Sequence, residues 1–342
     1  MKNLHTILPR ILRSGDTIGV VSPSWDTASR FPHRVQAGIE ALGLMGFKVQ
    51  IGKSVFSRGN YIAGDAQCRA DDINDFFKDP KIHGVICAIG GDHACELLPL
   101  LDYEVIKQNP KVFMGYSDVT VLNMAIWKQT GMITFNGPMV MMDFAEFPKV
   151  LNYTEEGFLR SVCSGIPIGR LKESEYWTEE RLEWRDKHDR LRARRLNSTE
   201  GWRWIKEGQG KGVLVGGCIE SLQHLRGTNY WPNWRNSVFF WEISSQKLGL
   251  AHIDSVLVDY ENMGVLKEIS GMLVGRAPQY SSEEKRQLEK IILNRTEKYN
   301  FPVVANMDFG HTSPQMTLPL GCTVVVDSDD HYVSIIDSCV SL

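Results

Sequence analysis

Short unbroken apolar runs alternate with stretches of helical periodicity over the first 115 residues, and that alternation restricts the chain to a parallel α/β sheet. Thr17-Ile18-Gly19-Val20-Val21 has strand length and ends at Ser22-Pro23-Ser24-Trp25. Pro32 opens a helix whose apolar face is Val35, Ile39, Leu42 and Leu44, and Gly46 stops it. Phe47 to Ile51 predicts a second strand, Asp65 to Phe77 a second helix and His83 to Ile89 a third strand. Strands with no polar alternation are covered on both faces, and helical crossovers between them make neighbours parallel. Such sheets bind ligands beyond the carboxyl ends of their strands. Those ends carry Ser22-Pro23-Ser24, Gly90-Gly91-Asp92 and Gly115-Tyr116-Ser117-Asp118, so three loops are expected to face one crevice, with Ser22, Ser24 and Trp25 lining it.

The stretch from Lys111 to Thr130 reads as strand, sharp turn and helix. Val112-Phe113-Met114 is the strand, and Val119, Leu122, Ala125 and Ile126 give the helix its apolar face before Thr130-Gly131. Ser117 thus falls at a helix N-terminus, where free N–H groups and the positive helix end can stabilise an oxyanion. Two readings fit. The serine is either an exposed nucleophile, in a turn that has Val119 in place of the second glycine of G-x-S-x-G, or an ordinary N-cap.

After the apolar segment from Ile133 to Met142 the pattern changes. Residues Glu173 to Gln209 are rich in Trp, Arg and Glu and hold no run of core length. Arg181, Arg185, Lys187, Arg190, Arg192, Arg194 and Arg195 interleave with Glu183, Asp186 and Asp189, which predicts a solvated, salt-bridged helix. Tyr176, Trp177, Trp184, Trp202 and Trp204 give the excursion the rings of a lid or stacking surface. A second mixed α/β unit begins near Gly210. Its strands are Gly212 to Gly217, Ser237 to Glu242, Gly271 to Val274, Pro302 to Asn306, Cys322 to Asp327 and His331 to Ile336, with helices at Ile219 to Arg226, His252 to Met263 and Ser282 to Tyr299. The expected division is an α/β domain over 1–155 carrying Ser117, a linker and lid over 156–209, and a C-terminal α/β domain over 210–342.

A chain of 342 residues with 43% hydrophobic content can bury two cores, and a formal charge of -3 excludes a nucleic-acid surface built on bulk charge. Met1 to Arg13 lacks a signal peptide's apolar segment, and no run reaches membrane-spanning length. Seven cysteines without C-x-x-C spacing fit neither a disulfide framework nor zinc, so a reduced, cytoplasmic protein is expected. Asp92-His93 with Glu96 has no second ligand cluster, so no metal is expected, and the absence of G-x-G-x-x-G after the first strand removes a dinucleotide.

A serine nucleophile needs a base and an acid that orients it, in any chain order. His311 follows Gly310 in a loop, whereas His224 and His252 fall within helical patterns. Glu242 ends an otherwise apolar strand.

Gly115-Tyr116-Ser117-Asp118, Ile89-Gly90-Gly91-Asp92, Val215-Gly216-Gly217, Trp241-Glu242, Gly310-His311-Thr312-Ser313-Pro314 and Thr317-Leu318-Pro319-Leu320-Gly321, in this order and spacing, resemble the LD-carboxypeptidase family of serine peptidases. The resemblance runs from Gly15-Asp16 to the last strands. It implies an N-terminal flavodoxin-like parallel sheet, a C-terminal swivelling β/α domain, a homodimer and no cofactor. It also implies a triad of Ser117 as nucleophile, His311 as acid/base and Glu242 as orienter, with the Gly91 and Asp118 N–H groups as oxyanion hole. One branch removes the terminal D-residue from a murein tetrapeptide in the cytoplasm; the other, the microcin-immunity (MccF-like) branch, cleaves the amide of aminoacyl or peptidyl nucleotides. The segment Glu173 to Glu180, with Trp184 beyond it, resembles the loop by which the immunity branch stacks a nucleobase, which makes Trp177 and Trp184 expected substrate contacts. Gly216-Gly217-Cys218-Ile219-Glu220-Ser221 departs from that branch's Asn-rich turn. The implied function is an immunity-type serine carboxypeptidase or amidase acting on a small peptide or peptidyl-nucleotide, with the murein enzyme as the alternative.

Overall fold

The computed structural model describes residues 5–244 and 248–342, so the start of the Met1 to Arg13 segment lies outside them. The predicted alternation forms a six-stranded sheet in the order Leu318–Leu320, Thr134–Asn136, Val112–Met114, Gly84–Cys87, Thr17–Val21 and Lys48–Ile51. The five strands from the first half of the chain are parallel. Counted along the chain they lie in the order 2-1-3-4-5, the flavodoxin-like arrangement, whose crevice opens where the winding reverses. Gly84–Cys87 and Val112–Met114 are buried throughout, as strands without polar alternation must be.

One member of this sheet comes from far along the chain. Leu318–Leu320 pairs antiparallel with Thr134–Asn136, and its Pro319 is tolerated because the strand lies at the sheet edge.

The second sheet has eight strands. Gln209–Cys218, Ser237–Glu242, Gly271–Gly275 and Val303–Met307 form a parallel centre, and antiparallel strands flank it on both sides. Its outermost strands, Gly169–Arg170 and Arg203–Lys206, come from the stretch between the two α/β halves. The sheets meet where the Cys218 N–H donates to Thr120 Oγ1 at 3.0 Å.

The charged excursion is not the helix that its charge pattern predicts. Apart from the ribbon Tyr176–Trp177 with Asn197–Ser198, a single 3₁₀ turn at His188–Arg190 and the edge strand Arg203–Lys206, it is irregular. Its charges pair across the fold or along the loop instead of between helical turns: Asp189 with Arg34 at 3.0 Å, Arg194 with Glu146, and Arg192 with Glu180 at 2.7 Å. Thr178 and Ser313 exchange backbone hydrogen bonds of 2.7 and 2.8 Å, which fastens the excursion to the loop that follows His311.

Candidate active site

Three chain segments that are distant in sequence converge at the carboxyl ends of both sheets. After Val112–Met114 the chain turns so sharply that Ser117 takes φ +62°, a conformation that costs a side-chain-bearing residue about 1–3 kcal/mol. The turn Ser117–Val119 then leads into the helix Thr120–Thr130, which ends at Gly131 with φ +81°. Ser117 does not cap this helix. Its Oγ lies 3.0 Å from Nε2 of His311.

His311 stands on the loop after Val303–Met307, and Glu242 ends the strand Ser237–Glu242, which lies two strands away in the same sheet. Gly310 makes their approach possible. At φ +108°, a Cβ on this residue would fall 2.8 Å from both Cβ and Oε2 of Glu242, so a side chain there would drive the histidine loop off the acid. Nδ1 of His311 meets Glu242 Oε2 at 2.7 Å, and the Tyr116 ring meets the imidazole edge-on at 5.3 Å. Burial by itself lowers the imidazole pKa and is the largest single influence. The charge and hydrogen bond of Glu242, with a further contribution from Glu220, outweigh it, and the net pKa is raised. A fully buried carboxylate thus holds one ring nitrogen while the other meets a hydroxyl. Such a chain can take a proton from Ser117 and hold it.

Gly91 lines the same cavity as Ser117, and Asp118 follows Ser117 in the turn. A Cβ on the neighbouring Gly90 would lie 3.0 Å from Ser117 Cβ and 3.3 Å from the Asp118 nitrogen. Neither the Gly91 nor the Asp118 N–H donates to a protein acceptor among the described residues.

Ser22 and Ser24 are not in the cavity wall. Both are buried, because the loop after the first strand packs beneath the Gly91 turn. The Ser24 hydroxyl accepts the N–H groups of Asp92 at 3.0 Å and His93 at 2.9 Å, while Arg69 donates to the Pro23 and His93 carbonyls at 2.5 and 3.3 Å. Gly91, at φ +154°, could carry no Cβ without meeting Ser24 Oγ at 2.2 Å. Asp118 Oδ2 accepts the Ala94 N–H at 2.8 Å, which ties the Gly91 loop to the Ser117 turn, and burial raises its carboxyl pKa. Trp25, the third residue expected at the crevice, does line it.

The cavity over Ser117 and His311 has a volume of about 540 Å³. Of the two expected stacking rings it holds Trp184 and not Trp177. Trp177 sits in the ribbon opposite Asn197, with the Arg276 and Lys285 cations 5.2 and 4.7 Å from its ring centre, so a cationic pair already occupies its face. Trp184 packs edge-to-face on Phe31 at 5.5 Å, with Arg34 at 4.8 Å. Phe31, Arg34, Arg181 and Glu220 also reach the cavity, and sequence reasoning assigned none of them to it. For Arg181 the signal was its position three residues before Trp184. For Phe31 and Arg34 there was none, since one precedes and the other belongs to a helix that reads as core. No group of three or more metal-ligating side chains occurs among the described residues.

Comparison with known proteins places the chain in a family. The family model described as the LD-carboxypeptidase N-terminal domain matches residues 18–137, and the LD-carboxypeptidase C-terminal domain matches 211–326. The chain is 30% identical over 341 residues to the microcin C7 self-immunity protein MccF of Escherichia coli, covering 98% of each. It is 26% identical over 323 residues to a Bacillus subtilis protein named "Probable murein peptide carboxypeptidase", covering 94% of this chain and 91% of that protein. The solved structure of MccF in complex with aspartyl sulfamoyl adenosine superposes with a TM-score of 0.90 at 30% identity, covering 98% of this chain and all of the other.

Proposed function

Because the chain belongs to the LD-carboxypeptidase family of serine-type carboxypeptidases, we propose that it hydrolyses an amide bond through Ser117, His311 and Glu242, and that its substrate is an aminoacyl or peptidyl nucleotide. The observation that carries the mechanism is the unbroken hydrogen-bond path from Ser117 Oγ to His311 Nε2 at 3.0 Å and from His311 Nδ1 to Glu242 Oε2 at 2.7 Å. His311 takes the hydroxyl proton as Ser117 Oγ attacks the carbonyl carbon, and the carbonyl oxygen becomes an oxyanion facing the Gly91 and Asp118 N–H groups. The imidazolium, held against Glu242, returns that proton to the departing nitrogen, and the carbon–nitrogen bond breaks. Water then attacks the acyl-serine, with His311 again as base, releasing the acid and restoring Ser117.

Trp184 and the Arg181 guanidinium, both on the cavity wall, support the nucleotide part of the reading: a flat ring stacks a base, and a cation neutralises a phosphate or sulfamate. The second reading is a murein LD-carboxypeptidase, favoured by the murein-type relative. A side-by-side assay on an aminoacyl sulfamoyl adenosine and on a murein tetrapeptide separates them. Hydrolysis of the nucleotide substrate, abolished in Ser117→Ala and weakened in Trp184→Ala, is the expected result; cleavage of the tetrapeptide alone would reverse the choice. We also propose a cytoplasmic homodimer: the family resemblance supports both parts, and the seven free cysteines support the reducing compartment. Sedimentation at two concentrations tests the dimer.

A further inference from the structure

Most carboxylates on the cavity wall are already engaged. Glu146, Glu180 and Asp189 are paired with Arg194, Arg192 and Arg34. Glu179 and Glu183 accept the backbone N–H groups of Gln279 and Arg185. Asp143 is buried on the Met139 N–H, and Asp92 is exposed on the loop beyond Gly91.

Glu220 differs from all of these. It is half-buried in the short helix Ile219–Leu222, which packs on the turn Ser117–Val119. Its Oε1 accepts the Ser244 N–H at 2.9 Å, and among the described residues its Oε2 meets the weak thiol donor of Cys218 at 3.3 Å. No Lys or Arg among the described residues pairs with it. Its charge is felt at His311, so it acts at the reacting end of the cavity. A carboxylate held in place, partly stripped of water and without a paired Lys or Arg among the described residues gains most from an incoming cation.

The cation that an amide substrate can present nearest its reacting carbonyl is the ammonium on the adjacent carbon. We infer that Glu220 binds the free α-ammonium of the acyl residue, so that the enzyme takes aminoacyl amides in preference to acyl residues whose α-nitrogen is itself acylated. This rests on the function proposed above and chooses between its two substrates. In a murein tetrapeptide the α-nitrogen beside the scissile carbonyl lies within a peptide bond and carries no charge. Arg181 and Trp184 remain for the anionic and aromatic parts of the substrate.

The test uses the full-length enzyme, alanyl sulfamoyl adenosine and its N-acetyl derivative, with wild type, Glu220→Gln and Glu220→Asp. Gln keeps an acceptor for Ser244 and removes the charge, while Asp keeps the charge. For wild type kcat/KM should favour the free amine by about tenfold or more, the range of a hydrogen bond between charged groups. The preference should fall to near unity in Glu220→Gln through a loss on the free amine that exceeds any loss on the N-acetyl substrate, and return in part in Glu220→Asp. Any effect of the lost charge on His311 acts on both substrates and cancels in the ratio. An unchanged ratio in Glu220→Gln, or equal wild-type rates on the two substrates, would overturn the inference while leaving the proposed hydrolase intact. If wild type hydrolyses neither substrate, the nucleotide reading beneath it falls too.

Discussion

Glu242 and His311 together set the pH range in which Ser117 can be activated. The raised imidazole pKa means that His311 stays protonated, and useless as a base, to a higher pH than a free imidazole near 6.5. The acid limb of kcat/KM should therefore lie above that value. Removing the carboxylate charge in Glu242→Gln leaves burial in control, so the limb should move to lower pH while the plateau drops by roughly 10²–10⁴-fold. A limb that stays in place would separate Glu242 from the imidazole's titration. Ser24 belongs to the same scale although it touches no substrate. Ser24→Ala leaves the Asp92 and His93 N–H groups without their acceptor, at a cost of about 1–3 kcal/mol, and loosens the turn that carries the Gly91 amide. A lower kcat with little change in KM is the expected signature.

At the scale of elements, the parallel sheet was legible in the sequence because its strands are unbroken apolar runs separated by helices of the right period. The excursion was not. Its partners lie elsewhere in the chain, as with Arg34 and Asp189, 155 residues apart, and no local pattern announces such a pairing. The strand Leu318–Leu320 was hidden for a similar reason, since a three-residue run containing proline becomes a strand only when a sheet edge is available. Nor could the sequence choose between Trp177 and Trp184, two rings in one polar segment that differ in what packs on them. The triad of Ser117, Glu242 and His311 was anticipated through the family resemblance; the local pattern by itself showed only that each sits in a turn or at a strand end, where α/β sheets place their chemistry. Two predictions belong here. Arg34→Met leaves Asp189 with His33, at 3.1 Å, and leaves the Met141 carbonyl without its guanidinium donor; it should lower stability by about 1–3 kcal/mol in urea unfolding and speed tryptic cleavage between Arg181 and Arg195. Trp184→Ala should raise KM for a nucleotide substrate by the loss of about 1–3 kcal/mol of stacking, whereas Trp177→Ala should leave KM unchanged.

On the scale of the whole molecule, the hydroxyl and its base stand on different sheets, so the site depends on how the sheets are joined. The joint includes the Thr120 acceptor for Cys218 and the Leu318–Leu320 strand that the second half lends to the first sheet, while the Thr178–Ser313 pairing holds the excursion on the loop after His311. The short loop from His311 to Thr317 runs between the second sheet and that lent strand, so movement of one sheet against the other would stretch the Ser117–His311 contact first. The central claim is that this contact makes Ser117 a nucleophile. A fluorophosphonate probe followed by peptide mass spectrometry tests it directly. A single adduct on Ser117, abolished in Ser117→Ala and slowed at least about a hundredfold in His311→Ala, is the predicted result. An unmodified Ser117, or an adduct that forms as fast without His311, would contradict it.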